Sequence, residues 1–280
     1  MSWLIGITGR FNPELKETIS SICGDSLFDF ESKNIYIRGG GNNQTFFSGN
    51  NESSFFTACG TGIRFSDSKS KLLEQQDWEN IKEENIPNLN GHYVYVRWND
   101  DEIKIFTDKY GLRDFYYYIF PDDTILFSTR SDWIAKIAGA KLDYKTFGSR
   151  WLLFNQISSE SIFENIMRIN SGTSLTIYLY SLIPFEQKSE WHQNISQDKF
   201  HPKNYNNIFE SLISLPVNNK QKLSLGLSGG MDSRTVLSSL IKKGVGFTTH
   251  TFGNSDTPDA VMAKNITAEL GIQHEMINYS

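Results

Sequence analysis

Between His92 and Thr129 the apolar positions fall in short runs, HYVYVRW, EIKIFTD, FYYYIF and TILFST, parted by turn formers at Asn99-Asp100-Asp101 and Pro121-Asp122-Asp123. Aromatic and β-branched runs separated in this way specify hairpins, and hairpins imply antiparallel sheet. This strand-rich pattern holds from the start of the chain to about Ile183. It is broken by RSDWIAKIAG, whose spacing predicts a helix starting near Ser131 or Asp132 and ending at Gly139. The polar stretch FEQKSEWHQNISQDKFHPKN then shifts the composition and reads as a linker. The expected division is a first domain over 1–183, a linker over 184–204 and a second domain beginning at 205.

Beyond the linker, strand and helix alternate. Leu223, Leu225 and Leu227 predict a strand over Lys222 to Leu227. Val236, Leu237, Leu240 and Ile241 recur at helical spacing and predict a helix from Arg234 to Lys243, with Gly244 as its stop. A second strand is expected over Phe247 to Phe252. A second helix follows, with Thr257 as N-cap, Pro258 first, Asp259 in the first turn and Gly271 at the end. HEMINY begins a third strand. Such a β-α-β-α-β unit builds a parallel sheet, whose ligands bind at the carboxyl ends of the strands.

Composition narrows the classes. The chain has 280 residues, enough for two cores, with 39% hydrophobic, 21% charged and 14% aromatic residues, a globular profile. A net charge of −5 gives no electrostatic case for nucleic acid or an anionic membrane. The two cysteines, Cys23 and Cys59, lack zinc-site spacing, so a reducing cytoplasm is the default location. The N-terminal MSWLIGITGRF has no basic leader region, and SLTIYLYSLIPF is too short to span a bilayer. No membrane partner is expected, and homodimerisation is left open.

The chemistry concentrates in SGGMDS, residues 228–233, between the first strand and the first helix of the second half. Unpaired N–H groups and the positive dipole end of a helix attract anions, and glycines let the backbone approach a phosphate. Leu227, Ser228, Gly229, Gly230, Asp232 and Ser233 are the residues that would line such a site. The plainer reading is a turn closed by helix caps. No lysine follows the glycines as a Walker A loop requires.

The S-G-G-M-D-S loop resembles the pyrophosphate loop of ATP pyrophosphatases, which cleave ATP between its α and β phosphates and leave an adenylated substrate. The resemblance implies ATP and Mg2+, with Asp232 facing the metal through the pyrophosphate and Ser228 and Ser233 bonded to phosphate oxygens. Phe252, at the end of the neighbouring strand, is the candidate for adenine contact. NLNGHYVYVRWNDDEIKIFTDKYGLRDFYYYIF followed by ILFSTRSDWIAKIAG is similar to the second half of the class II amidotransferase domain of glutamine-hydrolysing asparagine synthetases. The family pattern D-x-x-G-x-R-x-x-Y-Y falls on Asp108, Gly111, Arg113, Tyr116 and Tyr117. The implied fold is an α+β, Ntn-hydrolase-like domain of antiparallel sheets with helices, followed by part of an α/β ATP-pyrophosphatase domain.

The departures shape the functional expectation. Family glutaminases use a cysteine that becomes the first residue, with its own α-amine as base. Here Ser2 stands there, and Cys59-Gly60 replaces the Asn-Gly pair that holds the oxyanion, leaving Gly60 as the candidate donor. Arg38 is the one candidate for gripping glutamine in IRGGGNNQTFF. Ser2 is therefore read as structural and the glutaminase as silent. The tyrosines 116–118, His250 and His274 are read as packing residues. The expected activity is an ATP-dependent, AMP-forming amide ligase that joins an amine to a small-molecule or peptide carboxylate. The alternatives are asparagine synthesis from ammonia or glutamine, and a non-catalytic scaffold with a vestigial loop. The family's second synthetase motif has no counterpart before Ser280, so the chain is expected to be part of a longer protein.

Overall fold

Along Tyr93–Trp98 successive side chains enter two different cores: Tyr93 and Tyr95 one, Val94, Val96 and Trp98 the other. A strand buried on both faces needs a layer on each side, and the apolar runs read from the sequence are such strands. The computed structural model describes residues 2–51, 54–66, 69–153, 160–181, 184–188, 202–218 and 222–278. The chain forms two compact units, one of residues 1–65 and 71–194, the other of 66–70 and 195–280.

The first part runs β1 (Trp3–Thr8), α1 (Pro13–Cys23), β2 (Phe28–Glu31), β3 (Ile35–Gly40), β4 (Phe46–Asn51), β5 (Ser54–Ser66), β6 (Lys69–Leu72) and α2 (Gln75–Glu79). It continues with β7 (Asn90–Trp98), β8 (Glu102–Thr107), β9 (Tyr116–Ile119), β10 (Ile125–Ser128), α3 (Ser131–Ala138) and α4 (Tyr144–Leu153). Three short strands close it: β11 (Met167–Arg168), β12 (Thr173–Tyr178) and β13 (Pro184–Lys188). One six-stranded sheet has the order β11-β9-β10-β1-β3-β2; a seven-stranded sheet has the order β13-β12-β8-β7-β5-β4, with β6 beside β5. The pairings are antiparallel throughout the first sheet and along β13-β12-β8-β7-β5-β4.

The sheets face each other across one core that takes Leu4, Ile37 and Phe127 from the first and Val94, Val96, Ile105 and Leu175 from the second. On the outer face of the first sheet, Ile5, Ile7 and Leu126 meet Ile19 of α1 and Ile134 of α3. On the outer face of the second, Phe56, Tyr93 and Tyr95 meet Trp78 of α2 and Ile86. The result is a four-layered α+β unit of helices outside two antiparallel sheets. Helix α1 is capped by Asn12, whose side chain accepts from Leu15 N–H, with Pro13 in its first turn. Helix α3 ends on Gly139 in the left-handed conformation.

Pro184–Lys188, placed in the linker on composition, instead forms β13 against Thr173–Ile177 of β12. A polar edge strand beginning with proline lacks the apolar alternation that marks a strand, and an edge tolerates it. Most of the remaining linker, 189–201, lies outside the described residues.

The second part holds α5 (Pro202–Asn218), β14 (Ser224–Gly226), α6 (Met231–Lys242), β15 (Thr248–Phe252), α7 (Pro258–Leu270) and β16 (His274–Ile277). Strand β15 pairs in parallel with β14 on one side and β16 on the other. Leu227, Leu237 and Ala263 form its small core, with Leu225, Phe247, Ile266 and Ile272 packed around them. Helix α7 carries the expected caps: Thr257 accepts from Ala260 N–H, and Gly271 is left-handed. Helix α6 starts at Met231, three residues before the expected Arg234, because Gly230 in extended conformation serves as its N-cap. Asp232 and Ser233 therefore lie in the first helical turn. Among the described residues no helix is long and apolar enough to cross a membrane.

Candidate functional site

The residues around Ser228 come together as one loop at the carboxyl end of β14. Leu227 is buried, donates its N–H to His250 O at 2.8 Å and accepts from the Thr251 hydroxyl at 2.6 Å, which ties the loop's base to β15. Ser228 and Ser233 hydroxyls stand 3.1 Å apart, Gly230 N–H donates to Ser228 Oγ at 3.1 Å, and Ser228 N–H donates to Ser233 Oγ at 3.2 Å. A Cβ at Gly229 would stand 3.0 Å from Asp259 Oδ1, and one at Gly230 would stand 3.2 Å from Ser228 Oγ. Both glycines thus leave the backbone open where a side chain would crowd it.

Gly229 N–H donates to the carboxylate of Asp259 at 2.8 Å. This contact tests whether the loop suits a phosphate: one of its amides already holds a negatively charged oxygen, and two hydroxyls and the start of α6 lie beside it. The donor set fits a pyrophosphate, with Ser228, Gly229, Gly230 and Ser233 to hold oxygens. Asp232 is exposed in the first turn of α6. Among the described residues no group of three or more His, Cys, Asp or Glu is disposed to hold a metal ion by itself. A cation at Asp232 would therefore be shared with phosphate oxygens. Phe252 ends β15 and is 53% exposed as a residue, its ring edge-on to His250 at 5.1 Å. His250 bonds the Ser224 hydroxyl through Nδ1 at 2.8 Å, and His274 bonds Thr249 Oγ1 at 3.0 Å; both imidazoles are engaged within the sheet.

In the first unit the D-x-x-G-x-R stretch folds around a buried carboxylate. Asp108 Oδ1 accepts from Tyr110 and Leu112 N–H, each at 3.0 Å, and Oδ2 accepts from Arg113 N–H at 2.9 Å, while Gly111 takes a φ of 61°. Arg168 bonds Gly111 O at 2.9 Å and pairs with Asp114 at 2.6 Å, bracing the same loop. The loop aims Arg113 at Ser2: its Nη2 donates to Ser2 O and, at 3.2 Å, to Ser2 Oγ. Ser2 is only 3% exposed at the head of β1. A cleft of about 410 Å³ beside it is lined by His92, Leu112, Arg113, Asp114, Thr129 and Arg130. Burial lowers the His92 pKa and the Arg113 charge adds to the effect, with Asp108 opposing it.

Gly60 and Cys59 are not among the residues lining that cleft. Gly60 N–H donates to Thr45 O at 2.8 Å, and a Cβ on Gly60 would lie 2.1 Å from His92 O. Cys59 points into the core between the sheets, where burial pushes its thiol up to about 12 against the opposing Arg113 charge. Arg38 is bound to Asp29 and Ser26. Tyr116 is buried, and Tyr117 and Tyr118 pack against the cores on opposite faces of the first sheet.

Sequence reasoning placed Asp259 only as a helix starter and did not single out His92, Asp114, Thr129 or Arg130. The signal for Asp259 is weak, since an acid after Thr-Pro is explained by its own helix. For Asp114 and the residues around Ser2, the D-x-x-G-x-R motif is the local pointer.

No family model matches the chain, and no curated protein matches it. Among solved structures, a protein described as the allosteric regulatory enzyme of purine biosynthesis is similar at 9% identity and a TM-score of 0.41, over 99% of this chain and 80% of that one. The glutamine phosphoribosylpyrophosphate amidotransferase of B. subtilis, complexed with ADP and GMP, matches at 9% identity and a TM-score of 0.41, over 98% of this chain and 90% of that one. At these values neither neighbour carries an argument about this chain's chemistry, which rests on its own residues.

Proposed function

We propose that the protein is, or is part of, an ATP-dependent amide ligase of the asparagine synthetase kind, acting on the carboxylate of a small molecule or peptide. The observation that carries this reading is the S-G-G-M-D-S loop, set between a parallel strand and a helix, with an amide already bonded to a carboxylate at 2.8 Å. In this reading the substrate carboxylate attacks the α-phosphate of ATP, pyrophosphate leaves, and an amine then displaces AMP. Gly229 and Gly230 N–H and the hydroxyls of Ser228 and Ser233 hold the departing pyrophosphate. Asp232 would hold Mg2+, which would supply positive charge to the leaving pyrophosphate, and the positive end of α6 favours the charge that builds up there. Phe252 offers an exposed ring to the adenine.

The first unit supports an amine that does not come from glutamine. Ser2 is buried and engaged by Arg113, and the Gly60 N–H is spent on Thr45. A hydroxyl held by a cationic donor is a weak nucleophile, and one absent oxyanion donor alone costs about 100 to 1,000-fold. The test is ATP–pyrophosphate isotope exchange with a panel of carboxylic acids. Exchange that depends on one acid and on Mg2+ supports the proposal, and absence of exchange with every acid favours the scaffold reading.

A further inference from the structure

The bond between Gly229 and Asp259 joins two elements that the reaction scheme above leaves separate. Asp259 lies in the first turn of α7, where Thr257 already caps Ala260 N–H. Its carboxylate reaches out of its own helix to Gly229 N–H at 2.8 Å. Asp259 is exposed, and among the described residues it makes no ion pair. The neighbouring amides of Ser228 and Gly230 are met by neutral hydroxyls, so Gly229 is the loop position occupied by a full negative charge. A phosphate oxygen that takes the Gly229 N–H must displace that carboxylate and remain close to it. Two anions contending for one donor repel each other, and a divalent cation between them turns repulsion into shared coordination.

We infer that Asp259 determines which form of polyphosphate the Ser228 loop accepts: it rejects the metal-free anion and admits the magnesium-bound one, joining Asp232 in facing the cation. This rests on the proposed function, since it concerns the same loop. It assigns Asp259 a role that neither its helix-starting position nor the pyrophosphate-loop resemblance supplies. The bond to Gly229 is then exchanged for contact with the metal when magnesium pyrophosphate binds.

The experiment is calorimetric titration of the full chain with inorganic pyrophosphate, in EDTA and in excess MgCl2, for the wild type, Asp259→Asn and Asp259→Glu. The amide shift of Gly229 is followed by NMR in the ligand-free proteins, to show that the contact changes without loss of fold. Asp259→Asn keeps the shape and removes the charge, so it is expected to bind metal-free pyrophosphate about tenfold more tightly than the wild type and to need Mg2+ less. Asp259→Glu is expected to keep the Mg2+ requirement. Wild type that binds magnesium pyrophosphate while Asp259→Asn shows the same Mg2+ dependence overturns this inference alone and leaves Asp259 as a staple between loop and helix. Failure of every protein to bind pyrophosphate in either condition overturns the proposed function and this inference together.

Discussion

Arg113 holds Ser2 by two oxygens at once, the main-chain carbonyl and the hydroxyl, although 111 residues separate them in the chain. The D-x-x-G-x-R loop exists in this fold to aim that guanidinium: Asp108 fixes the backbone of residues 110–113 and Arg168 braces Gly111. Charge-assisted bonds to a nearly buried residue contribute about 1.5–3 kcal/mol. Arg113→Ala is therefore expected to lower unfolding free energy by roughly that amount, read from urea melts with an unchanged slope.

A cysteine at position 2 is not expected to create a glutaminase. Ser2→Cys supplies a thiol, but Cys59 faces the core and Gly60 N–H is bonded to Thr45 O. Ammonia release from glutamine should stay at background in both proteins. Robust release by the variant would show that the cleft beside Ser2 has its own oxyanion donor.

The core thiol carries a pH signature. Burial raises the Cys59 pKa from 9.0 to about 12 and that of Cys23 from 9.0 to about 11. Both are neutral thiols at pH 8 in the native state, so alkylation by iodoacetamide should be slow until the protein unfolds. Where a folded pKa is raised, the unfolded chain releases its proton first, and stability falls as pH rises through the window from about 9 to 12. Cys59→Ala should be less stable overall and show a shallower alkaline loss.

Gly60→Ala and Gly139→Ala separate backbone strain from collision. Both glycines have positive φ, 111° and 67°. An added Cβ would meet His92 O at 2.1 Å at Gly60 and nothing within 4 Å at Gly139. The expected costs are about 3 kcal/mol or more at Gly60, and about 1 kcal/mol at Gly139. Thermal denaturation of the two variants measures them.

What the sequence made legible follows the range of the interactions. Helix α7 was readable end to end because Thr257, Pro258 and Gly271 act on their own backbone. The hairpins β7-β8 and β9-β10 were readable because a strand buried on both faces must be apolar and a turn must be polar. Strand β13 was not, since an edge position lets Glu186, Gln187 and Lys188 stand in a strand. The early start of helix α6 was not readable, because its glycine cap leaves no side-chain signature. The glycines and serines of the loop were visible as a motif, but the carboxylate at Gly229 comes from 30 residues away. Arg113 and Ser2 were each visible as single positions, but their pairing was not, because neither pairing leaves a periodicity to read.

The proposed function requires that the Ser228 loop bind the pyrophosphate part of magnesium ATP. NMR titration of labelled protein with MgATP tests it most directly, beside Asp232→Ala. The largest amide shifts are expected at Gly229, Gly230 and Ser233, with a loss of affinity of about tenfold or more in Asp232→Ala and its spectrum otherwise retained. Shifts that leave these amides unmoved, or equal affinity in the two proteins, would contradict it.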